Sequence, residues 1–139
     1  MCQLFISADP VLWETRLRSV RMHGFSTSVR LENIYWLLLE EIAGRDGLSV
    51  GEILARLYEE LLNEQGAVEN FASFLRVCCA RYLMLQLAGD IPADLQRPIA
   101  TLDAKSILAR ESERLAGKAG ARDEERRPAC KSAQPGAFN

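Results

Sequence analysis

The spacing of apolar and polar residues changes period once, at residue 32, and two structural regimes follow from it. From Phe25 to Leu31 the pattern is two: Phe25, Thr27, Val29 and Leu31 fall on one side, Ser26, Ser28 and Arg30 on the other. That alternation predicts an extended strand with one buried and one wet face. From Glu32-Asn33 to about Gly44 the recurrence lengthens to that of a helix. Ile34, Leu38 and Ile42 stand four apart, supported by Tyr35, Leu39 and Ala43, with Glu40 and Glu41 on the wet side. Trp36 and Leu37 widen the apolar surface beyond one face, as burial against two partners requires. Asp46-Gly47 ends the helix, glycine taking the left-handed conformation common just past a C-terminus.

A second helix starts at a capping box, Ser49 with Glu52, in which each side chain satisfies the other residue's backbone amide. Val50, Ile53, Leu54, Leu57, Tyr58, Leu61 and Leu62 repeat behind it at three- and four-residue steps until Gln65-Gly66. A third helix is predicted from about Val68 to Ala88, with Phe71, Phe74, Leu75, Cys78, Tyr82 and Leu85 on one stripe and Gly89 at its end. Trp36, Tyr58, Phe71 and Phe74 are assigned to the core. After Ile91-Pro92 apolar residues thin out. Leu102, Ile107, Leu108 and Leu115 give a weak exposed helix over 101–115, and disorder is expected beyond Gly117.

The leading residues carry less pattern. Gln3–Ser7 reads as a short strand, and Asp9-Pro10 as a helix start with proline at its first position. Val11, Leu12 and Trp13 with Leu17 and Val20 read as a brief amphipathic turn or two. The chain therefore divides into a lead packed on the body (1–24), a strand and two helices (25–65), an additional helix (66–89) and a mostly disordered charged tail (90–139). The fold class is mainly α with one short β-strand. A lone strand cannot satisfy its own backbone hydrogen bonds, and no second strand follows it. The expected partner is a second copy of the chain, giving an intertwined homodimer whose antiparallel ribbon presents three polar side chains from each subunit. A two-stranded ribbon of that kind fits the major groove of double-stranded DNA.

Charge refines this picture. The net charge of -2 argues against a protein that coats nucleic acid along its whole surface. Its distribution is uneven: residues 1–31 carry +2, residues 32–102 carry -6 and residues 103–139 carry +2. A basic leading segment ahead of an acidic helical body permits a local anion-binding face. The N-terminus lacks the cationic and apolar regions of a secretory signal, and no apolar run is long enough to span a membrane. A cytoplasmic protein without membrane association is expected. Cys2, Cys78, Cys79 and Cys130 have no metal-ligand spacing and are expected to remain thiols, at least one of them in the core. His23 is the single histidine and has no catalytic partner in sequence. With no phosphate loop, metal constellation or purposeful carboxylate pair, neither a cofactor nor an enzymatic activity is expected.

Strand, helix, tight Gly47-Leu48-Ser49 connection and helix, in that order, resemble the ribbon-helix-helix family of the Arc and methionine repressors. The matching segment is TSVRLENIYWLLLEEIAGRDGLSVGEILARLYEEL. Residues 1 to about 85 also look like a group of small, mostly uncharacterised bacterial ribbon-helix-helix proteins. They share the Met1-Cys2 start, the Ala8-Asp9-Pro10-Val11-Leu12 lead-in, Arg18-Ser19-Val20-Arg21 with Gly24, and the Thr27–Asn33 junction. The resemblance implies that outward strand residues, here Ser26, Ser28 and Arg30, contact bases. It also implies that the start of the second helix, here the amides of Val50 and Gly51 with the Ser49 hydroxyl, holds a phosphate. Arg21, with Arg16, Arg18 and His23, is a further candidate for backbone phosphate. Each has a plainer reading: Arg30 in a surface ion pair, the Ser49 box as a cap and nothing more, the leading arginines as a solvated stretch. The expected function is a sequence-specific DNA-binding repressor or autoregulator acting as a homodimer. The alternative is an antitoxin-like or DNA-independent interaction module that engages a protein partner through the helical body or the tail.

Overall fold

The computed structural model describes residues 2–22 and 24–126. Its element order is α1 (Cys2–Ile6), a 3-10 turn (Pro10–Trp13), β1 (Thr15–Met22), β2 (Phe25–Glu32), α2 (Asn33–Arg45), α3 (Val50–Gln65), α4 (Phe71–Leu87), a second 3-10 turn (Ile99–Thr101) and α5 (Ala104–Arg126). Two compact units result, residues 1–102 and a second unit beginning at Asp103.

The strand read from the Phe25–Leu31 alternation is present, and its partner is not a second copy. β1 of the same chain pairs with it antiparallel over all eight residues, from Thr15 opposite Glu32 to Met22 opposite Phe25. The fold thus has two strands where the sequence pattern predicts one, and Leu17 and Val20 belong to a strand rather than to a helical turn. The alternation in TRLRSVRM is hidden because its inward side holds two arginines. Arg18 lies 5.0 Å over the Trp36 ring and donates to the Glu40 carboxylate at 3.0 Å, with Arg16 4.0 Å from the same oxygen. The Arg16 carbonyl accepts from the Trp36 indole at 3.0 Å. A two-residue connection closes the hairpin, and Gly24 has φ +82°, a conformation that costs glycine little.

Val20, Val29 and Leu31 turn inward onto Trp36, Leu39, Ala43, Ile53, Leu54, Phe71, Leu75 and Cys79. The faces of α2 and α3 that the sequence pattern leaves for a second subunit are covered in part by the hairpin and α4, with Ile34, Leu37 and Leu62 left exposed. The buried stripe of α2 is Trp36, Leu39 and Ala43, not Ile34, Leu38 and Ile42; Ile34 and Leu37 are exposed. The large indole, hydrogen-bonded to β1, sets that rotation. The capping box at Ser49 is formed as predicted, with the Ser49 N–H donating to Glu52 at 2.7 Å and the Glu52 N–H to Ser49 Oγ at 3.2 Å. α4 begins at Phe71 because Asn70 caps it through the Ser73 N–H at 3.0 Å. It buries Phe71, Leu75, Cys79, Tyr82 and Leu85. Edge-to-face contacts run from Phe25 through Tyr58 to Phe71, at 5.8 and 5.2 Å between ring centres.

Two expectations for the flanks change. Cys2–Ile6 is a short helix, not a strand, with Leu4, Phe5 and Ile6 exposed; a helix satisfies its own backbone where no sheet edge is offered. The Asp9-Pro10 start is real, Asp9 accepting from the Val11 N–H at 3.0 Å, but it opens one 3-10 turn. The disordered tail expected over 90–139 does not hold over 90–126. Arg45 is buried at 5% exposure and donates to the carbonyls of Arg97, Pro92 and Asp94 at 3.1, 2.9 and 2.9 Å, and to the Tyr82 hydroxyl at 3.2 Å. These bonds, with the buried Ile91 and the Ala100 N–H donated to Asp46 at 3.1 Å, hold the segment after α4. In the second unit Asp103 accepts from Ser106 and α5 runs as one helix past Gly117 to Arg126. The expected disorder of 127–139, the phosphate contact of His23 and the thiol of Cys130 lie outside the described residues. Among the described residues no helix is long and apolar enough to cross a membrane.

Two outcomes are expected. Arg45→Ala strands three carbonyls and should cost roughly 2–4 kcal/mol, read as a lower urea midpoint with faster proteolysis between residues 88 and 102. The second concerns acid. Glu32 accepts both arms of Arg76, at 2.9 and 3.1 Å, and those hydrogen bonds hold its carboxyl below the usual carboxylate value of 4.5. A carboxyl more acidic in the folded state stabilises fully above its unfolded pKa, and that stability is lost as pH falls through the folded value. The urea midpoints of wild type and Arg76→Leu should therefore differ most at neutral pH and converge as pH falls through the lowered pKa of Glu32; a gap independent of pH would refute the linkage.

Candidate nucleic-acid interface

Pairing of β1 with β2 places alternate side chains of both strands on the solvent side. Four cross-strand rows share that side: Thr15 with Glu32 at the open end, and beyond it three rows, Leu17 with Arg30, Ser19 with Ser28, and Arg21 with Ser26. All six residues of the last three rows are exposed. No carboxylate belongs to these last three rows, and their two arginines stand at opposite ends, about 13 Å apart along strands that rise ~3.3 Å per residue. Arg30 is exposed and donates to Thr15 Oγ1 at 3.4 Å, a long bond. The ion pair that would have explained Arg30 as a surface cation is not made among the described residues. Glu32, which ends β2, is turned to Arg76 of α4.

The leading arginines separate by strand face. Arg18 and Arg16 are engaged by Glu40 on the inward side, Arg18 at 3.0 Å and Arg16 at 4.0 Å. Arg21 is on the outward face beside the hairpin turn, with Met22, Gly24, Phe25 and Ser26 around it. It does not lie with Ser49, Val50 and Gly51, its companions as phosphate candidates. Those three residues sit at the start of α3, where a cavity of about 220 Å³ is lined by Arg18, Ser19, Val20, Trp36, Val50, Gly51 and Leu54.

At that helix start, the first intrahelical bond is from the Ile53 N–H to the Ser49 carbonyl at 3.1 Å. The Val50 and Gly51 amides precede it and point outward from the helix end, where the dipole favours an anion. The Ser49 oxygen is already an acceptor for Glu52, leaving only its proton for a ligand. The Glu52 carboxylate occupies part of the same positive end, and its pKa is lowered chiefly by the Ser49 backbone amide. A Cβ at Gly51 would meet only Ser49 Oγ, at 3.9 Å, so close backbone approach does not require this glycine.

Chemistry elsewhere is subdued. Burial pushes the Cys78 thiol up and the Cys79 thiol up to about 12, so neither is a thiolate nucleophile at neutral pH. Tyr82 is raised by burial and by its 2.6 Å bond to Glu41. Among the described residues no group of three or more His, Cys, Asp or Glu side chains is arranged to hold a metal ion.

Sequence reasoning missed β1, and with it Leu17 and Ser19 on the outward face. The usable signal was Met22-His23-Gly24-Phe25, two residues including glycine between alternating runs, a hairpin signature.

No curated protein matches the chain. A solved structure, that of an uncharacterized protein from Bordetella pertussis Tohama I, is similar at 52% sequence identity. The match covers 78% of this chain and 86% of that one, with a TM-score of 0.75. The ribbon-helix-helix domain family matches residues 15–83, which run from the first residue of β1 into α4. Members of that family are typically DNA-binding transcription regulators or antitoxins rather than enzymes. By this match and by the order and geometry of its elements, the chain belongs to the ribbon-helix-helix domain family.

Proposed function

We propose that the protein is a sequence-specific, cytoplasmic DNA-binding regulator of transcription, most simply a repressor or autoregulator, that lays its hairpin in the major groove. The observation that carries this reading is the outward hairpin face: three exposed rows without a carboxylate, flanked by Arg21 and Arg30, with Glu32 of the end row taken up by Arg76. Two strands about 4.8 Å apart enter a groove roughly 12 Å wide. Ser26, Ser28 and Arg30 read base edges. Arg30 does most of the discrimination, because a guanidinium can donate two hydrogen bonds to guanine O6 and N7, while serines donate or accept and discriminate little. The Val50 and Gly51 amides with the Ser49 proton hold one backbone phosphate, and Arg21 holds another.

In this reading the protein acts as a homodimer, with two ribbons on one duplex and an operator of paired half-sites. The contact between copies is the exposed side of α4, where Val77, Ala80, Met84 and Leu87 recur at steps of three, four and three. That is the spacing of a helix-to-helix seam. Ile34 and Leu37 are exposed on the neighbouring α2. The interface therefore differs from one in which the strands themselves pair between subunits.

Binding of the purified protein to a random-sequence duplex should weaken steeply as salt rises, since each phosphate contact releases counterions. An interaction module that ignores DNA would show no such binding. On duplexes enriched from genomic fragments, Arg30→Ala should lose about 1–3 kcal/mol of discrimination, roughly 5- to 150-fold, with unchanged circular dichroism and sedimentation. Full retention of operator preference by Arg30→Ala would sink the ribbon mechanism.

A further inference from the structure

One side chain on the outward hairpin face is out of character with its neighbours. Leu17 is 51% exposed and stands directly opposite Arg30, with Ser19 at the next outward position and Ser28 diagonal to it. Its side of β1 faces away from the core, which the strand reaches through Val20. A single exposed leucine is ordinary on a protein surface. This one is held at a fixed height on a hydrogen-bonded ribbon, beside the guanidinium best placed to read a base.

Within the major groove, the edges of the bases are hydrogen-bonding groups with one apolar exception, the C5 methyl of thymine. We infer that Leu17 is a specificity-determining residue of the DNA site, packing on a thymine methyl next to the base pair engaged by Arg30. Cross-strand partners in an antiparallel pair have Cα atoms about 5 Å apart, and base pairs stack about 3.4 Å apart. Two such side chains therefore reach the same or adjacent base pairs. The two strands also differ in sequence: β1 offers Leu17, Ser19 and Arg21 where β2 offers Arg30, Ser28 and Ser26. Because both come from one chain, no two-fold axis passes through the ribbon, and each ribbon reads an asymmetric element that contains a thymine. The inference rests on the DNA-reading role proposed above and adds β1 to the reading surface.

The test begins with selection of bound duplexes from a random 20-base-pair pool by the full-length protein. In the enriched duplex each thymine is then replaced singly by deoxyuridine, which removes the methyl group and nothing else. One such replacement should weaken wild-type binding about fourfold, the value of one buried methyl-sized group. Leu17→Ser should bind the thymine and uracil duplexes equally, while Leu17→Val, apolar and suited to a strand, should keep part of the preference. Arg30→Ala should lose guanine preference at the adjacent position yet still distinguish thymine from uracil. An enriched duplex indifferent to every uracil replacement would overturn the role of Leu17 and leave the DNA reading intact. So would a Leu17→Ser variant that discriminates as well as wild type, whether or not its sedimentation changes. A pool that never enriches would overturn both.

Discussion

An unpaired strand exposes a row of backbone donors and acceptors, and the architecture depends on how this chain removes that penalty. β1 supplies the missing partner for β2 from immediately upstream, across a two-residue turn. Once the two are in register, everything else about the site is set. Period-two geometry sends Val20, Val29 and Leu31 inward and Ser19, Arg21, Ser26, Ser28 and Arg30 outward. A slip of one residue would turn Arg21 and Arg30 inward and Val20 and Val29 outward, so the core itself fixes which side chains face solvent.

The arginines show how one residue type is divided between holding the fold and facing outward. Arg18 is stacked on Trp36 and bonded to Glu40, Arg76 grips Glu32 with both arms, and Arg45 is buried among carbonyls. These three tie β1 to α2, β2 to α4, and the segment after α4 to α2. Arg30, exposed, donates to a threonine hydroxyl at long range. Guanidinium suits both tasks, since its planar set of donors satisfies several acceptors at once in the interior and can engage a base edge or phosphate outside. What separates the tasks is the direction a side chain leaves its strand or helix.

The helix start at Ser49 is a less committed feature. Its cap is complete within the chain, and the carboxylate of Glu52 already lies against the amide end that a phosphate would approach. A cap of that kind stabilises a helix whether or not an anion binds. By contrast, the outward face of the hairpin has no evident structural purpose, because the core is served entirely by its other side. For that reason the functional reading rests on the ribbon and treats the helix start as support.

Chemistry written in contiguous residues is legible in the amino-acid sequence. The period-two run Phe25–Leu31 needs only its own spacing, as do the Ser49–Glu52 box and the Phe71–Leu85 stripe, because strand alternation, capping and helix periodicity are properties of neighbouring residues. Leu85 and Tyr82 are buried on that stripe, though Cys79 rather than Cys78 is the cysteine buried there. β1 is not legible in the same way. Arginines on its inward side break the apolar alternation, and only Trp36 and Glu40, more than fifteen residues away, make them compatible with that face. Nor is the order of residues 90–102, which rests on the Arg45 guanidinium binding backbone carbonyls, on the Asp46 carboxylate accepting from the Ala100 N–H and on the single buried Ile91. Neighbouring residues thus suffice to place the helices of the body and to say which face of β2 is wet. The partner of that strand is settled only in three dimensions, because contacts between residues distant along the chain make the choice.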